Sequence, residues 1–316
     1  MTDNGITFCN IVGTTVKMQQ VFKLISLVAR TDTNAVIFGE SGTGKELVAR
    51  AIHSMSRYSD GPFVAVNCGG IPKGLVESEF FGYKKGAFTG AEFEKTGFLG
   101  AADRGILFLD EVGEIDLDMQ VRLLRVFDGY GYTKLGGTEV EQPDFQIVAA
   151  TNKNLENLVE QGYMREDFYY RINVMPLTIP PLRERKADIP HLVTYLLDDI
   201  KPGMTWEDLT EPVRDQFLDH PWPGNVRELQ NALYRYAATG SPGHLSAGPS
   251  DKNAFFLPEK IRFHGDFSLR QTLETIEIHI IKKALEQSQG NKSRAAGLLG
   301  MDRRSLYRRL ELYGLE

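Results

Sequence analysis

The chain has 316 residues, 42% hydrophobic and 25% charged, with 31 glycines and 14 prolines; this balance excludes wholesale disorder, collagen and coiled coil, and at roughly 150 residues per domain it predicts two or three compact units. No apolar run approaches the roughly 18 residues of a membrane span and the opening MTDNGITFCN has no secretory pattern, so a cytoplasmic protein is expected, while Cys9 and Cys68 alone cannot build a disulfide framework or a four-thiolate metal site. The net charge of −6 hides an uneven distribution: nine Lys/Arg and six Asp/Glu fall from Ser268 onward, so a tail of +3 follows a body of −9, the mark of a basic module appended to an acidic one.

Short apolar, β-branched runs recur along the first half: AVIF at 35–38, FVAV at 63–66, ILFL at 106–109, FQIVAA at 145–150 and VMPLTI at 174–179. Their hydrophobicity is continuous rather than alternating, which predicts strands covered on both faces by the helical stretches between them, a parallel α/β sheet over residues 8–179. Residues 180–239 read as a small helical domain whose helices are broken by Pro202, Pro212, Pro221 and Pro223. Residues 240–267 are rich in Gly, Ser and Pro and read as a linker, and residues 268–316 as a last, all-helical domain.

Directly after the first run comes GESGTGKE: Gly39, Glu40, Ser41, Gly42, Thr43, Gly44, Lys45 and Glu46. Glycines at a strand-to-helix turn let successive amides face phosphate oxygens, the helix N-terminus adds partial positive charge, and Lys45 reaches the outer phosphates. Glu46 stands where a hydroxyl usually ligates magnesium. ILFLDE then places Asp110 and Glu111 at the end of a buried strand, a costly position unless they serve a cation or a water. Asp110 is the candidate for holding Mg2+, through water if necessary, and Glu111 the base that activates the attacking water.

Thr151 and Asn152 end another strand, where a γ-phosphate or its water could be sensed. Asn67 ends a third, and either hydrogen-bonds Glu111 or is a turn residue. Transition-state charge calls for cations, and Arg165 and Arg171 in MREDFYYR are candidates. On a continuous helix their side chains would diverge by roughly 120°, so one is expected to act across a subunit boundary while the other pairs with Glu166 or Asp167. Arg227 in WPGNVREL is a further cation that could approach the nucleotide.

GESGTGKE, ESEFFGYKKGAFTGA at 77–91, ILFLDEVGEI, REDFYYRINV, PPLRER and WPGNVREL together resemble the ATPase domain of sigma-54-dependent transcriptional activators, the bacterial enhancer-binding proteins. The resemblance covers about residues 11–238, and Ile11 and Val12, where it begins, are counted with the nucleotide-binding residues. It implies an AAA+ P-loop ATPase with a parallel sheet and a helical lid. Such proteins form a ring, usually a hexamer, that uses ATP to remodel the closed promoter complex of sigma-54 RNA polymerase holoenzyme. By the same resemblance, Gly86, Ala87, Phe88, Thr89, Gly90 and Ala91 tip a mobile loop that touches the sigma factor. Arg165 and Arg171 fall on the family's arginine-finger positions, Asn67 on its switch asparagine and Arg227 on its second sensor, and Glu46 is the family's own habit. Gly100 and Ile106, where the family more often has Glu and Thr, are departures at packing positions. Read from its own residues, Phe88 among small neighbours and beside Lys84 and Lys85 is either an exposed anchor for a partner or a buried Phe in a Gly-rich turn.

In the last domain, Leu273, Ile276, Ile280, Ile281, Ala284 and Leu285 recur at helical spacing. NKSRAAGLLGMDRRSLYRRLELYGL follows as helix, turn and helix, with Gly300 at the turn, Asp302 as cap and Leu306, Leu310 and Tyr313 facing inward. Arg303, Arg304, Ser305, Tyr307 and Arg308 then line a face suited to DNA bases and phosphates, or simply a solvated basic helix. This segment resembles the Fis-type helix-turn-helix attached to the same family, which implies double-stranded DNA at upstream sites as a partner. Only about ten residues precede the ATPase resemblance where the family commonly carries a regulatory domain, so control in trans or a shortened chain is expected. An alternative to the motor is a DNA-binding regulator in which ATP sets oligomeric state without work on sigma. Intact GAFTGA favours the motor.

Overall fold

The structure, a computed structural model, describes residues 7–242 and, toward the C-terminus, residues 277–278, 281–282, 284–285, 288, 291–299 and 301–313. The chain divides into two compact units, Met1–Gly248 and Pro249–Glu316.

The first unit opens with an antiparallel pair, β1 (Thr7–Phe8) and β2 (Ile11–Val12). In α1 (Val16–Thr31), Met18, Val21, Phe22, Ile25, Val28 and Ala29 recur every three or four residues and form its buried stripe. There follow β3 (Ala35–Phe38), α2 (Lys45–Met55), β4 (Phe63–Asn67), α3 (Val76–Phe81), the short pair β5 (Gly82–Tyr83) and β6 (Lys95–Thr96), and α4 (Phe98–Ala101). Next come β7 (Gly105–Asp110), α5 (Leu117–Phe127), a hairpin of β8 (Tyr132–Thr133) and β9 (Val140–Glu141), and β10 (Phe145–Thr151). The α/β part closes with α6 (Leu155–Glu160), α7 (Glu166–Ile172) and β11 (Met175–Thr178).

Five strands form one sheet in the order β11-β3-β10-β7-β4, every neighbouring pair parallel. Successive residues of β7 show why their hydrophobicity is continuous. Leu107 and Leu109 belong to the core on one face, with Leu123 and Phe168, while Ile106 and Phe108 belong to the other, with Ile25 and Ile52. The register sets Thr151 beside Phe38 and Asn67 beside Asp110, so the motif-bearing strand ends gather along one edge of the sheet. Ile106 is fully buried, and Gly100 leaves room for the Tyr132 hydroxyl, which a Cβ there would meet at 2.7 Å; both departures from the family pattern are packing positions.

The lid consists of α8 (Ile189–Ile200), α9 (Glu211–Asp219) and α10 (Asn225–Thr239) around a core that includes Leu192, Trp206, Phe217, Trp222, Leu229 and, from the α/β part, Val12. Pro212 does not break a helix, as its sequence context suggested: it occupies the first turn of α9, where its missing N–H and fixed φ cost nothing. Most of the expected linker, 243–267, lies outside the described residues, as do Leu273, Ile276, Ile280 and Gly300.

In the second unit the helices Lys292–Leu298 and Arg303–Tyr313 share a core of Ile281, Ala284, Ala295, Ala296, Leu306 and Leu310. Asn291 Oδ1 caps the first by accepting from the amides of Ser293 and Arg294, each at 3.1 Å. Asp302 caps the second, accepting from the Ser305 amide at 3.0 Å and its hydroxyl at 2.6 Å. No helix among the described residues is long and apolar enough to cross a membrane.

Candidate functional site

The loop between β3 and α2 turns through Gly42 at φ 78° and Gly44 at φ 101°, a left-handed backbone that favours glycine. It is braced by the Gly39 amide on Thr151 O at 3.2 Å and by the Thr43 hydroxyl on Glu40 O at 2.8 Å. Lys45 Nζ lies within the loop, donating to the carbonyls of Gly39 (2.9 Å) and Glu40 (3.2 Å). Burial holds its pKa below the ordinary lysine range, with Asp110 and Glu111 pulling the other way and Arg227 adding to the depression. Glu46 turns outward to Arg50, at 3.0 and 2.7 Å from its Nε and Nη2.

Asp110 ends β7 and accepts the Glu111 amide at 2.9 Å. Glu111 itself has φ 55°, and a Cβ on Gly69 would meet its Oε2 at 2.5 Å and Asn67 Oδ1 at 3.6 Å, so carboxylate and carboxamide both converge on that glycine. Asn67 Oδ1, however, accepts from the Gly70 amide at 2.8 Å, capping a short turn. Burial, with the Asp110 and Glu111 charges nearby, pushes the Cys68 thiol up to about 12. Thr151 is buried and its hydroxyl accepts the Lys153 amide at 3.0 Å, whereas Asn152 is exposed. Among the described residues no group of three or more His, Cys, Asp or Glu could hold a metal unaided. Asp110 fits magnesium in the way that ion is usually held, through one or two carboxylates, waters and nucleotide phosphates.

The lid meets this loop residue by residue. Arg183 grips the Glu40 carboxylate with both terminal nitrogens, at 2.8 and 2.7 Å, and holds its pKa below the usual carboxylate range. Asn225 Nδ2 donates to Glu40 Oε2 and Ser41 O, each at 3.1 Å. The Val226 amide donates to Gly42 O at 3.0 Å, Arg227 Nη1 to Ser41 Oγ at 3.1 Å, and the buried Arg185 Nη2 to Thr43 O at 3.3 Å. A cavity of about 210 Å³ opens between loop and lid, lined among others by Ile11, Val12, Gly42, Thr43, Gly44 and Arg227. Arg183, Arg185 and Asn225 are functional candidates the sequence reading does not single out, although PPLRER and WPGNVREL contain them.

Arg165 is not within α7 but is its N-cap residue, at φ −74° and ψ 141°, so the helical 120° separation from Arg171 does not apply. It pairs with Asp167, not Glu166, through Nε and Nη2 at 3.0 and 2.8 Å. Arg171 reaches Phe127 O and, at 3.3 Å, Asp128. Both arginine side chains are close to half exposed.

Between β5 and β6, Gly86 donates its amide to Ala91 O at 2.8 Å and closes a tight loop. Ala91 is buried; Thr89, Gly90 and Phe88 are exposed, Phe88 at 44%, with its ring 4.9 Å from that of Tyr83. Gly86 (φ 84°) and Gly90 (φ 104°) have open space where a Cβ would stand, so the tip is a protrusion rather than core. In the second unit Arg303, Arg304, Tyr307 and Arg308 are exposed on one helix and Ser305 is half-buried against its cap; Lys292 sits 5.0 Å from the Tyr307 ring.

The sequence matches the family models described as Sigma-54 interaction domain over residues 11–178, AAA+ ATPase lid domain over 183–248 and Bacterial regulatory protein, Fis family over 272–313. It is 39% identical to the DNA-binding transcriptional regulator NtrC of Rhizobium meliloti (strain 1021), the match covering 96% of this chain and 70% of that protein. To the regulatory protein AtoC of Escherichia coli (strain K12) it is 38% identical, over 95% and 66%. Crystal structures of NtrX from Brucella abortus, in complex with ADP and with ATP, share 34% identity with TM-scores of 0.67 and 0.66, covering 96% of this chain and 69% of theirs. The phosphate loop, the lid upon it, the GAFTGA protrusion and the capped terminal helices thus agree with a shared lineage: the chain belongs to the NtrC-like, sigma-54-dependent transcriptional activators, with an AAA+ ATPase domain, its lid and a Fis-type helix-turn-helix.

Proposed function

We propose that this chain is an ATP-driven activator of the cytoplasm. Bound through its Fis-type helices to double-stranded DNA upstream of a promoter, it assembles as a homo-oligomeric, hexameric ring and remodels the closed complex of sigma-54 RNA polymerase holoenzyme. Lys45 and the amides of Gly39 to Gly44 hold the phosphates, Ile11 and Val12 border the cavity that takes the base, and Arg227 meets the phosphates from the lid. Mg2+, held by Asp110 and the phosphates, would neutralise charge developing on the transferred group. Glu111 accepts the proton of the attacking water as the bond to the γ-phosphorus forms and the bond to the leaving ADP oxygen breaks. Thr151 and Asn152 sense that phosphate, Asn67 restrains Glu111, and Arg165 or Arg171 reaches the nucleotide of the next subunit. The ADP and ATP complexes of the Brucella abortus relative support the nucleotide assignment.

The observation that carries this reading is the joining of two features in one unit: Lys45 facing Asp110 and Glu111 at the sheet edge, and an exposed Phe88–Thr89 tip that contributes nothing to that site. Thr89→Ala tests it. The variant is expected to keep ATPase activity and DNA binding yet fail to activate a sigma-54 promoter. Normal activation by Thr89→Ala contradicts the role of the tip, and loss of ATPase contradicts the separation of the two sites.

A further inference from the structure

Asn225 is fully buried, carries a side chain at φ 53°, and starts α10 two residues before Arg227. A left-handed backbone at a non-glycine residue inside a protein is retained only where the surroundings fix it, and Asn is among the few side chains that tolerate it. Every polar atom of its carboxamide faces a different part of the molecule. Oδ1 accepts the buried Leu182 amide at 2.8 Å, in the connection between sheet and lid. Nδ2 donates to the Glu40 carboxylate and to Ser41 O, at the front of the phosphate loop, with Pro223 O at 3.5 Å. Beside it, the Gly224 carbonyl packs so tightly on the loop that a Cβ on Gly42 would meet it at 2.3 Å. Glu40 is in turn held by Arg183 from the same connection.

We infer that Asn225 is a positioning residue for ATP turnover: its carboxamide ties phosphate loop, lid connection and α10 into one body and thereby sets where Arg227 meets the nucleotide. The inference rests on the nucleotide reading above and extends it to a residue that touches no substrate. Its geometry asks for one polarity only. The Leu182 amide needs an acceptor, and Glu40 and Ser41 need a donor, so Asn satisfies both where Asp, of the same shape and equally tolerant of the backbone, sets a carboxylate against a carboxylate.

The test uses the full chain, titrated with a fluorescent ATP analogue and assayed for ATP turnover. Asn225→Asp is expected to weaken nucleotide affinity by about tenfold or more, the cost of a lost hydrogen bond to a charged group. Because Arg227 is then already misplaced, adding Arg227→Ala to Asn225→Asp should lower affinity by less than about twofold, although Arg227→Ala alone lowers it more. A merely structural Asn225 gives independent losses that multiply, and that outcome overturns the inference, as does an Asn225→Asp affinity within about twofold of the wild type. Should Asn225→Asp fail to fold, Glu40→Ala replaces it in the same cycle, since the Glu40 side chain is only about half buried and its removal takes away the acceptor that Asn225 Nδ2 reaches on the loop. Multiplying losses or no loss in that cycle overturn the inference equally. A wild-type chain without affinity for the analogue contradicts the nucleotide reading itself, whereas wild-type affinity insensitive to Asn225→Asp contradicts this inference alone.

Discussion

The proposed mechanism asks most of Glu111, which would accept the proton of the attacking water one residue away from Asp110, the carboxylate that would hold Mg2+. Glu111→Gln is expected to bind ATP nearly as the wild type does and to lose most hydrolysis, since the base is deleted and the phosphate contacts remain; equilibrium binding beside a turnover assay checks both halves. Lys45→Ala should instead weaken binding, as it removes the full charge that lies among the phosphate-loop carbonyls. Cys68 offers a probe of the same edge. With its thiol pushed up to about 12 and buried, it should not react with a thiol reagent at pH 8 in the folded chain, whereas exposed Cys9 should; unfolding should release the second thiol. At this scale Gly39 to Lys45, Asp110 and Glu111 are legible in the sequence because their chemistry is carried by adjacent residues in fixed spacing. Arg185, Asn225 and Asp188 are not, since each acts through partners more than 140 positions away that no local pattern encodes.

Asp188 shows what such distant contacts do for whole elements. Fully buried ahead of α8, it accepts four hydrogen bonds from the amides and hydroxyls of Thr14 and Thr15, at 2.6 to 2.9 Å, and so anchors the start of α1 to the lid. Asp188→Ala takes the acceptor from all four half-buried donors and should cost about 2–4 kcal/mol, read as a lower denaturation midpoint. Glu40 has a pH signature of its own. Its folded pKa is depressed by Arg183, so its stabilising pair is complete above the ordinary carboxylate range and fades as pH falls through the depressed value. The difference in melting temperature between wild type and Glu40→Gln should therefore be present at neutral pH and shrink below about pH 4. The strand runs of the sequence correspond to β3, β4, β7, β10 and β11 within about a residue at each end; in the central β3, β7 and β10 double-sided burial writes itself as an unbroken apolar run, whereas the edge strands β4 and β11 are partly exposed. Pro212 and Arg165 were less legible for a shared reason: both sit at helix starts, where the same residue can be read as a break, an interior position or a cap until the backbone is seen.

Over the whole molecule, charge divides as −9 before Ser268 and +3 after it. A chain ending near Gly240 is expected to keep ATP turnover and lose DNA binding, and the intact chain's DNA binding should fall steeply with salt as counterions are released. Arginine fingers supplied between subunits are worth on the order of 10³ to 10⁵ in rate, so Arg165→Ala and Arg171→Ala should each abolish stimulated turnover, and dilution to monomers should do the same. All these effects serve one claim, that hydrolysis rather than nucleotide binding alone performs the work on the polymerase. Open-complex formation at a sigma-54 promoter, measured with purified holoenzyme and this protein in the presence of ATP or of a non-hydrolysable analogue, tests it most directly: open complexes with ATP and none above background with the analogue are predicted, and equal yields with the two nucleotides would contradict the account.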